Sequence, residues 1–158
     1  MIRVGFGFDT HQLSPERNLI IGSIHIPHPY GCMGHSDADV LIHAICDALL
    51  GAANLGDIGF HFPDTDPKYK NCNSIILLQA THQLIAENKW KIENIDTTVV
   101  IQQPKLQPYI PLMQASLAHA LNLSPDCISI KAKTSEKLGF IGRKEGVSAY
   151  AVTLISKK

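Results

Sequence analysis

An α/β layered domain is the fold class this chain predicts, and three observations carry that reading. Alternating or β-branched segments recur along the chain. Segments with apolar residues at helical spacing interleave with them. The length, 158 residues with 45% hydrophobic residues, gives one domain enough interior for a core. No linker, repeat or low-complexity stretch interrupts it.

The elements follow in order. Ile2 to Phe8 reads as a strand whose glycines, Gly5 and Gly7, mark a close approach by another backbone or a ligand. Asn18 to Pro27 reads as two short strands around a Gly22-Ser23 turn, and Pro27 and Pro29 then force a loop. Ser36 to about Ala53 reads as a helix with Ser36 as cap, Asp39 in the capping-box position and Gly51 and Gly56 marking its end. Val40, Leu41, Ala44, Ile45, Ala48 and Leu49 form its apolar stripe. Asn73 to about Asn88 reads as a second helix, with Ile76, Leu77, Ala80, Leu84 and Ile85 turned inward.

Ile92 to Gln102 carries a β-branched run and reads as a strand ended by Pro104. Pro111 to about Leu121 is a third helix, and Cys127 to Ala132 a half-buried strand. Val147 to Ile155 is apolar on both faces, which implies cover on both sides, by helices or by another subunit.

Formal net charge is +0, so the chain offers no electrostatic footprint for nucleic acid or an anionic membrane. No apolar run reaches the ~18 residues of a membrane span. Met1 to Phe8 leads straight into Asp9 without a cleavage-type segment, and the cysteines lack metal or disulfide spacing. A cytoplasmic setting is expected; an organellar protein lacking its transit segment has the same appearance.

The chemistry gathers at Asp9, His11 and His43. Side chains two apart on a strand point the same way, so Asp9 and His11 share a face. With His43 from the helix they make two imidazoles and a carboxylate, leaving a fourth position for water or substrate, as catalytic zinc requires. Turn capping by Asp9 and ordinary polar roles for the histidines account equally for the residues. Asp39 is sufficient as a helix cap and also stands four residues from His43. His35 and Ser36, at the predicted helix start, suit an anion such as phosphate. Asp57, Asp64 and Asp66 crowd a Gly/Pro loop, where turn chemistry, a polyol or a metal would each use them. Lys131 to Arg143 combines hydroxyls, cations, glycines and Glu136, a set suited to phosphate and a hard cation or to a solvated polar loop.

Six segments occur together in order: Gly7-Phe8-Asp9-Thr10-His11, His35-Ser36-Asp37-Ala38-Asp39, Gly56-Asp57-Ile58-Gly59, Phe62-Pro63-Asp64-Thr65-Asp66-Pro67, Pro104-Lys105 and Thr134-Ser135-Glu136-Lys137-Leu138-Gly139-Phe140. In these the chain resembles the 2-C-methyl-D-erythritol 2,4-cyclodiphosphate synthase family over nearly its whole length. The resemblance implies a single cyclodiphosphate synthase domain over 1–158, a stand-alone form without a fused cytidylyltransferase. It implies one mixed sheet with helices on one face, in a homotrimer whose sheets face the three-fold axis. An apolar cavity on that axis would take an isoprenoid diphosphate.

The implied reaction is that of a lyase of the non-mevalonate isoprenoid pathway. It converts 4-diphosphocytidyl-2-C-methyl-D-erythritol 2-phosphate to the 2,4-cyclodiphosphate and CMP. By resemblance, Asp9, His11 and His43 hold Zn²⁺, while Glu136 serves a second cation, Mg²⁺ or Mn²⁺, with the diphosphate. His35 and Thr134 stabilise the transition state. Asp9, Thr10, His11 and Ser36 contact substrate, and Asp57, Ile58 and Gly59 hold the erythritol unit. Phe62, Pro63, Asp64, Thr65 and Asp66 line the same pocket. Ile101, Gln102, Gln103, Pro104, Lys105, Leu106 and Gln107 surround the cytosine. Lys133, Thr134, Ser135 and Glu136 contact the diphosphate, and Phe140 and Arg143 complete the set. Ile101 and Gln103 stand where the family often has small residues, and Ser135 where some members have threonine. Two rivals use the same residues: a metal-dependent phosphohydrolase and a non-catalytic carrier of isoprenoid diphosphates.

Overall fold

The computed structural model describes residues 1–157. A mixed five-stranded sheet runs in the order β4-β1-β7-β5-β6, and β2 and β3 form a separate hairpin. The strands are β1 (Ile2–Ser14), β2 (Leu19–Ile21), β3 (Ile24–Ile26), β4 (Gly31–Cys32), β5 (Lys91–Val100), β6 (Ile128–Lys133) and β7 (Gly146–Ser156). The β5–β6 pair alone is parallel. The longer helices are α1 (Val40–Ala53), α3 (Ser74–Glu87) and α4 (Ile110–Leu121); α2 (Ile58–His61) and α5 (Gly139–Gly142) are single turns. No helix of the described residues is long and apolar enough to cross a membrane.

The first strand is longer than its apolar part. β1 continues through Ser14 because its whole length to Gln12 pairs with β7 and its end pairs with β4. Asp9 and His11 therefore lie within a strand, not beyond one. Odd-numbered residues of β1 face the helices, and Gly5 and Gly7 are buried there.

Those glycines set the spacing between sheet and helix. A Cβ at Gly7 would stand 1.9 Å from the Ala44 carbonyl oxygen, and one at Gly5 1.9 Å from that of Ala48. Ala149 and Ala151 of β7 add small side chains to the same buried layer. The Thr153 hydroxyl donates to the Ala48 carbonyl at 3.2 Å. The approach is thus backbone against backbone, the first of the alternatives that strand glycines predict. Gly7→Ala should lower stability by about 2 kcal/mol through overpacking and weaken any metal held between β1 and α1. Urea unfolding and metal titration of the variant check both.

The start of α1 differs from expectation. Its N-cap is Asp39, not Ser36, and the carboxylate accepts the Ile42 N–H at 3.1 Å. Ala38 has φ 56°, so no helix runs back through it. The same Asp39 carboxylate accepts the N–H groups of Gly22 and Ser23, at 3.0 and 2.7 Å. Gly22 and Ser23 both have positive φ, as the tight β2–β3 turn needs. Burial pushes the Asp39 carboxyl up to about 6, against the pull of those N–H groups. At the other end α1 runs through Gly51 and stops at a left-handed Asn54.

α3 matches its expected span, with Asn73 as cap, but turns a different stripe inward. Ser74, Leu77, Leu78, Thr81 and Ile85 are buried, whereas Ile76 is exposed and Ala80 and Leu84 are half-buried. α1 lies across β1 and β7, α3 packs on α1, and α4 covers β6, all on one side.

The other sheet face carries none of the three longer helices. Ile2, Val4, Phe6 and Phe8 of β1 and Tyr150 and Val152 of β7 are exposed on it. Register pairs Phe6 with Val152 and Phe8 with Tyr150, making one continuous apolar surface. Of the two covers that β7 predicted, the chain itself supplies one.

Candidate metal centre and substrate cavities

Asp9, His11 and His43 converge. One ligand atom from each lies within 4.8 Å of the others. Asp9 Oδ2 stands 2.8 Å from His11 Nε2 and 3.1 Å from His43 Nδ1, and the two nitrogens are 3.2 Å apart. The strand supplies two groups by its alternation, and the helix supplies the third across the Gly7–Ala44 seam.

The remaining nitrogen of each imidazole faces outward. His11 Nδ1–H donates to the Met33 carbonyl at 2.7 Å; a carbonyl only accepts, so Nε2 is the nitrogen left toward the cluster. His43 Nε2 turns to the hydroxyls of Ser74, at 2.9 Å, and Ser36, at 3.2 Å. Burial by itself would raise the Asp9 carboxyl, but the imidazoles of His11 and His43 set against it outweigh this and bring it down to about 2. Burial opposes protonation of His11, and the bond to Asp9 reverses this, so its pKa lies above the ordinary value. A carboxylate that stays ionised, beside imidazoles whose far nitrogens are already bonded, is the donor set of a divalent cation with room for an outside ligand.

The cluster opens into a cavity of about 400 Å³ lined by His11, His35, Ser36, His43, Ile58, Gly59, Phe62, Pro63 and Asp64, together with Gly34, Tyr69 and Leu77. Asp57 does not line it; its carboxylate caps α2 through the Phe60 N–H at 2.8 Å. Asp66 caps the turn at Lys68, and its carbonyl accepts from His35 Nε2–H at 3.1 Å. Asp47, one helical turn after His43, accepts the Ile58 N–H at 2.8 Å and so holds the cavity wall to α1.

A second cavity, of about 210 Å³, is lined by Ile101, Gln102, Pro104, Lys105, Leu106, Gln107, Ala132, Lys133 and Thr134. Gln102 accepts the Lys137 N–H at 3.2 Å, tying the two loops together. Thr134 donates to Glu136 at 3.0 Å. This cavity is at the same end of the sheet as the metal cluster but not beside it. Thr10 pairs with Ser148, Ser148 with Val100, and Val100 with Lys133. Three strand spacings, roughly 14 Å at ~4.8 Å each, separate the two within one chain.

Thr10 faces the open side of the sheet, where its hydroxyl donates to the Val147 carbonyl at 3.0 Å. Phe140 lines a third hollow there with Thr10, Gln12 and Gly146, and Arg143 pairs with Glu145 at 2.9 Å. Tyr69, Leu77, Gly34 and Ser74 were not foreseen; each reaches the site from a part of the chain whose own pattern reads only as turn or helix.

Fold and site together define an α/β protein with a two-imidazole, one-carboxylate candidate metal centre opening on a cavity. The chain belongs to the YgbB family, which matches residues 2–156. It is 60% identical over 156 residues to the 2-C-methyl-D-erythritol 2,4-cyclodiphosphate synthase of Parabacteroides distasonis, covering 99% of this chain and 97% of that one. Among solved structures it is similar to the bifunctional IspDF from Campylobacter jejuni, at 44% identity and TM-score 0.96, covering 100% of this chain and 43% of that one. It is also similar to an IspF of Plasmodium falciparum solved as a CDP complex, at 34% identity and TM-score 0.88, covering 99% and 97% of the two chains.

Proposed function

We propose that this chain converts 4-diphosphocytidyl-2-C-methyl-D-erythritol 2-phosphate to 2-C-methyl-D-erythritol 2,4-cyclodiphosphate and CMP, as a phosphorus–oxygen lyase. The observation that carries the reading is the Asp9–His11–His43 cluster opening beside His35 and Ser36. An oxygen of the 2-phosphate attacks the β-phosphorus, the bond from that phosphorus to the bridging oxygen breaks, and the oxygen leaves with CMP. The nucleophile is already an anion, so no general base is needed. The difficulty is bringing two anions together.

Asp9, His11 and His43 would hold zinc, which supplies Lewis-acid stabilisation of phosphate charge. Glu136 would serve a second cation, Mg²⁺ or Mn²⁺, with the diphosphate. Around the metal cavity, His35 and Ser36 contact phosphate, and Ile58, Gly59 and the 62–66 segment orient the erythritol unit beside Asp57. Residues 101–107 take the cytosine, in keeping with the CDP bound by the Plasmodium falciparum relative. Lys133, Thr134 and Ser135 hold the diphosphate, and Thr10, Phe140 and Arg143 complete the set. Because both reacting groups belong to one molecule, holding its bent conformer provides proximity.

The separation of the two cavities supports a site assembled between copies of the chain. The uncovered face of Ile2, Val4, Phe6, Phe8, Tyr150 and Val152 supports a homotrimer closed over it, with an isoprenoid diphosphate in the enclosed apolar space. Free cysteines at Cys32, Cys46, Cys72 and Cys127 agree with a cytoplasmic setting. Incubation of protein, zinc and Mg²⁺ with the substrate should yield the cyclic diphosphate and equimolar CMP by ³¹P NMR. A linear product formed by water would instead establish the phosphohydrolase.

A further inference from the structure

We propose that Ser74 and Asp37 are a positioning pair that holds His43 in the one tautomer able to ligate metal through Nδ1. The inference rests on the metal reading above and concerns residues outside the ligand set. Ser74 is fully buried at the first turn of α3. Its hydroxyl donates to Asp37 Oδ1 in a short hydrogen bond. Asp37 Oδ2 accepts the Ser74 N–H at 3.1 Å, and Oδ1 also accepts the Asp39 N–H at 3.2 Å.

Counting hydrogens fixes the rest. An ionised carboxylate has none to give, so the hydrogen between Ser74 and Asp37 belongs to Ser74. A hydroxyl carries only one. The Ser74 oxygen therefore meets His43 Nε2, at 2.9 Å, as an acceptor, and Nε2 bears the hydrogen. In the neutral ring the lone pair is then on Nδ1, the atom 3.1 Å from Asp9 and 3.2 Å from His11.

Ser36 does not enforce this by itself. Its oxygen stands 3.2 Å from the same Nε2 and accepts the Ala38 N–H at 3.2 Å, but its hydrogen is not committed to a carboxylate. Without Ser74, Ser36 can donate to Nε2 and favour the opposite tautomer, which puts a hydrogen where the metal belongs. The pair is itself braced, since Asp37 N–H donates to the Cys72 carbonyl at 3.0 Å and Asn71 N–H to the His35 carbonyl at 2.7 Å. The start of α3 is thus strapped to the segment leading into α1.

The test uses the full chain with ¹⁵N-labelled histidine and needs no substrate. In the metal-free protein, His43 should give a protonated Nε2 by NMR. Ser74→Ala should shift that signal toward the other tautomer and weaken zinc binding, by chelator competition, about 10- to 100-fold. Ser74→Thr keeps the hydroxyl and should bind zinc close to wild type. Asp37→Asn lets an amide donate to Ser74, turns the Ser74 hydrogen toward His43, and should act in the same direction as Ser74→Ala. Should Ser74→Ala not fold, Asp37→Asn decides. Folded variants with wild-type zinc affinity and an unchanged Nε2–H signal would overturn the proposal. A wild-type protein that binds no zinc would sink the metal reading instead, while the metal-free tautomer signal would still report on Ser74.

Discussion

Alanine at His43 should leave a folded protein that has lost its metal, with turnover reduced about 10³-fold or more. His43 supplies one of three donors, and Asp9 and His11 are left as a pair from a single strand. The ring lines the cavity, so removing it enlarges an open space rather than leaving a sealed void in the core. A melting curve near wild type, metal analysis and CMP release together check the expectation. Chelation of the wild-type protein should have the same effect, reversed by added zinc; the variant should not recover. A His43→Ala protein with its full metal content and near-normal turnover would contradict the proposed role of the cluster.

The second large effect concerns the two cavities. If the site joins the metal half of one copy to the nucleotide half of another, His43→Ala and Thr134→Ala chains should each be inactive alone and active when mixed. After dissociation and reassembly at equal ratio, about a quarter of the sites combine two intact halves, so activity should return to about that fraction of wild type. Measuring CMP release before and after reassembly tests it. No recovery from a verified mixed oligomer would mean that both halves of each site come from one chain. A lysine at Phe6 supplies a control, since a charge in the centre of the open apolar face should prevent the association itself.

Much of this was legible in the chain because it is encoded locally. Alternation along β1 places Asp9 and His11 on one side, and that follows from strand geometry alone. The β2–β3 turn and the span of α3 follow from turn chemistry and apolar periodicity. The start of α1 did not follow, because Ser36, Asp37 and Asp39 are all good cap residues and the local pattern is degenerate. What selects Asp39 is the β2–β3 turn, whose two N–H groups need a buried acceptor. The inward stripe of α3 is decided by α1 beneath it, not by the apolar residues of α3.

Residue types and their local periodicity were enough to single out Asp9, His11 and His43 as candidate ligands, the order of the main strands and helices, and the phosphate-suited loops. Three-dimensional packing settled which nitrogen of each imidazole faces the cluster, that Ser74 stands behind His43, and that the two cavities lie across the sheet from each other. Periodicity is written by neighbours in the chain. Hydrogen-bond partners and strand order join residues far apart in it, and those choices exist only once backbone meets backbone at Gly7.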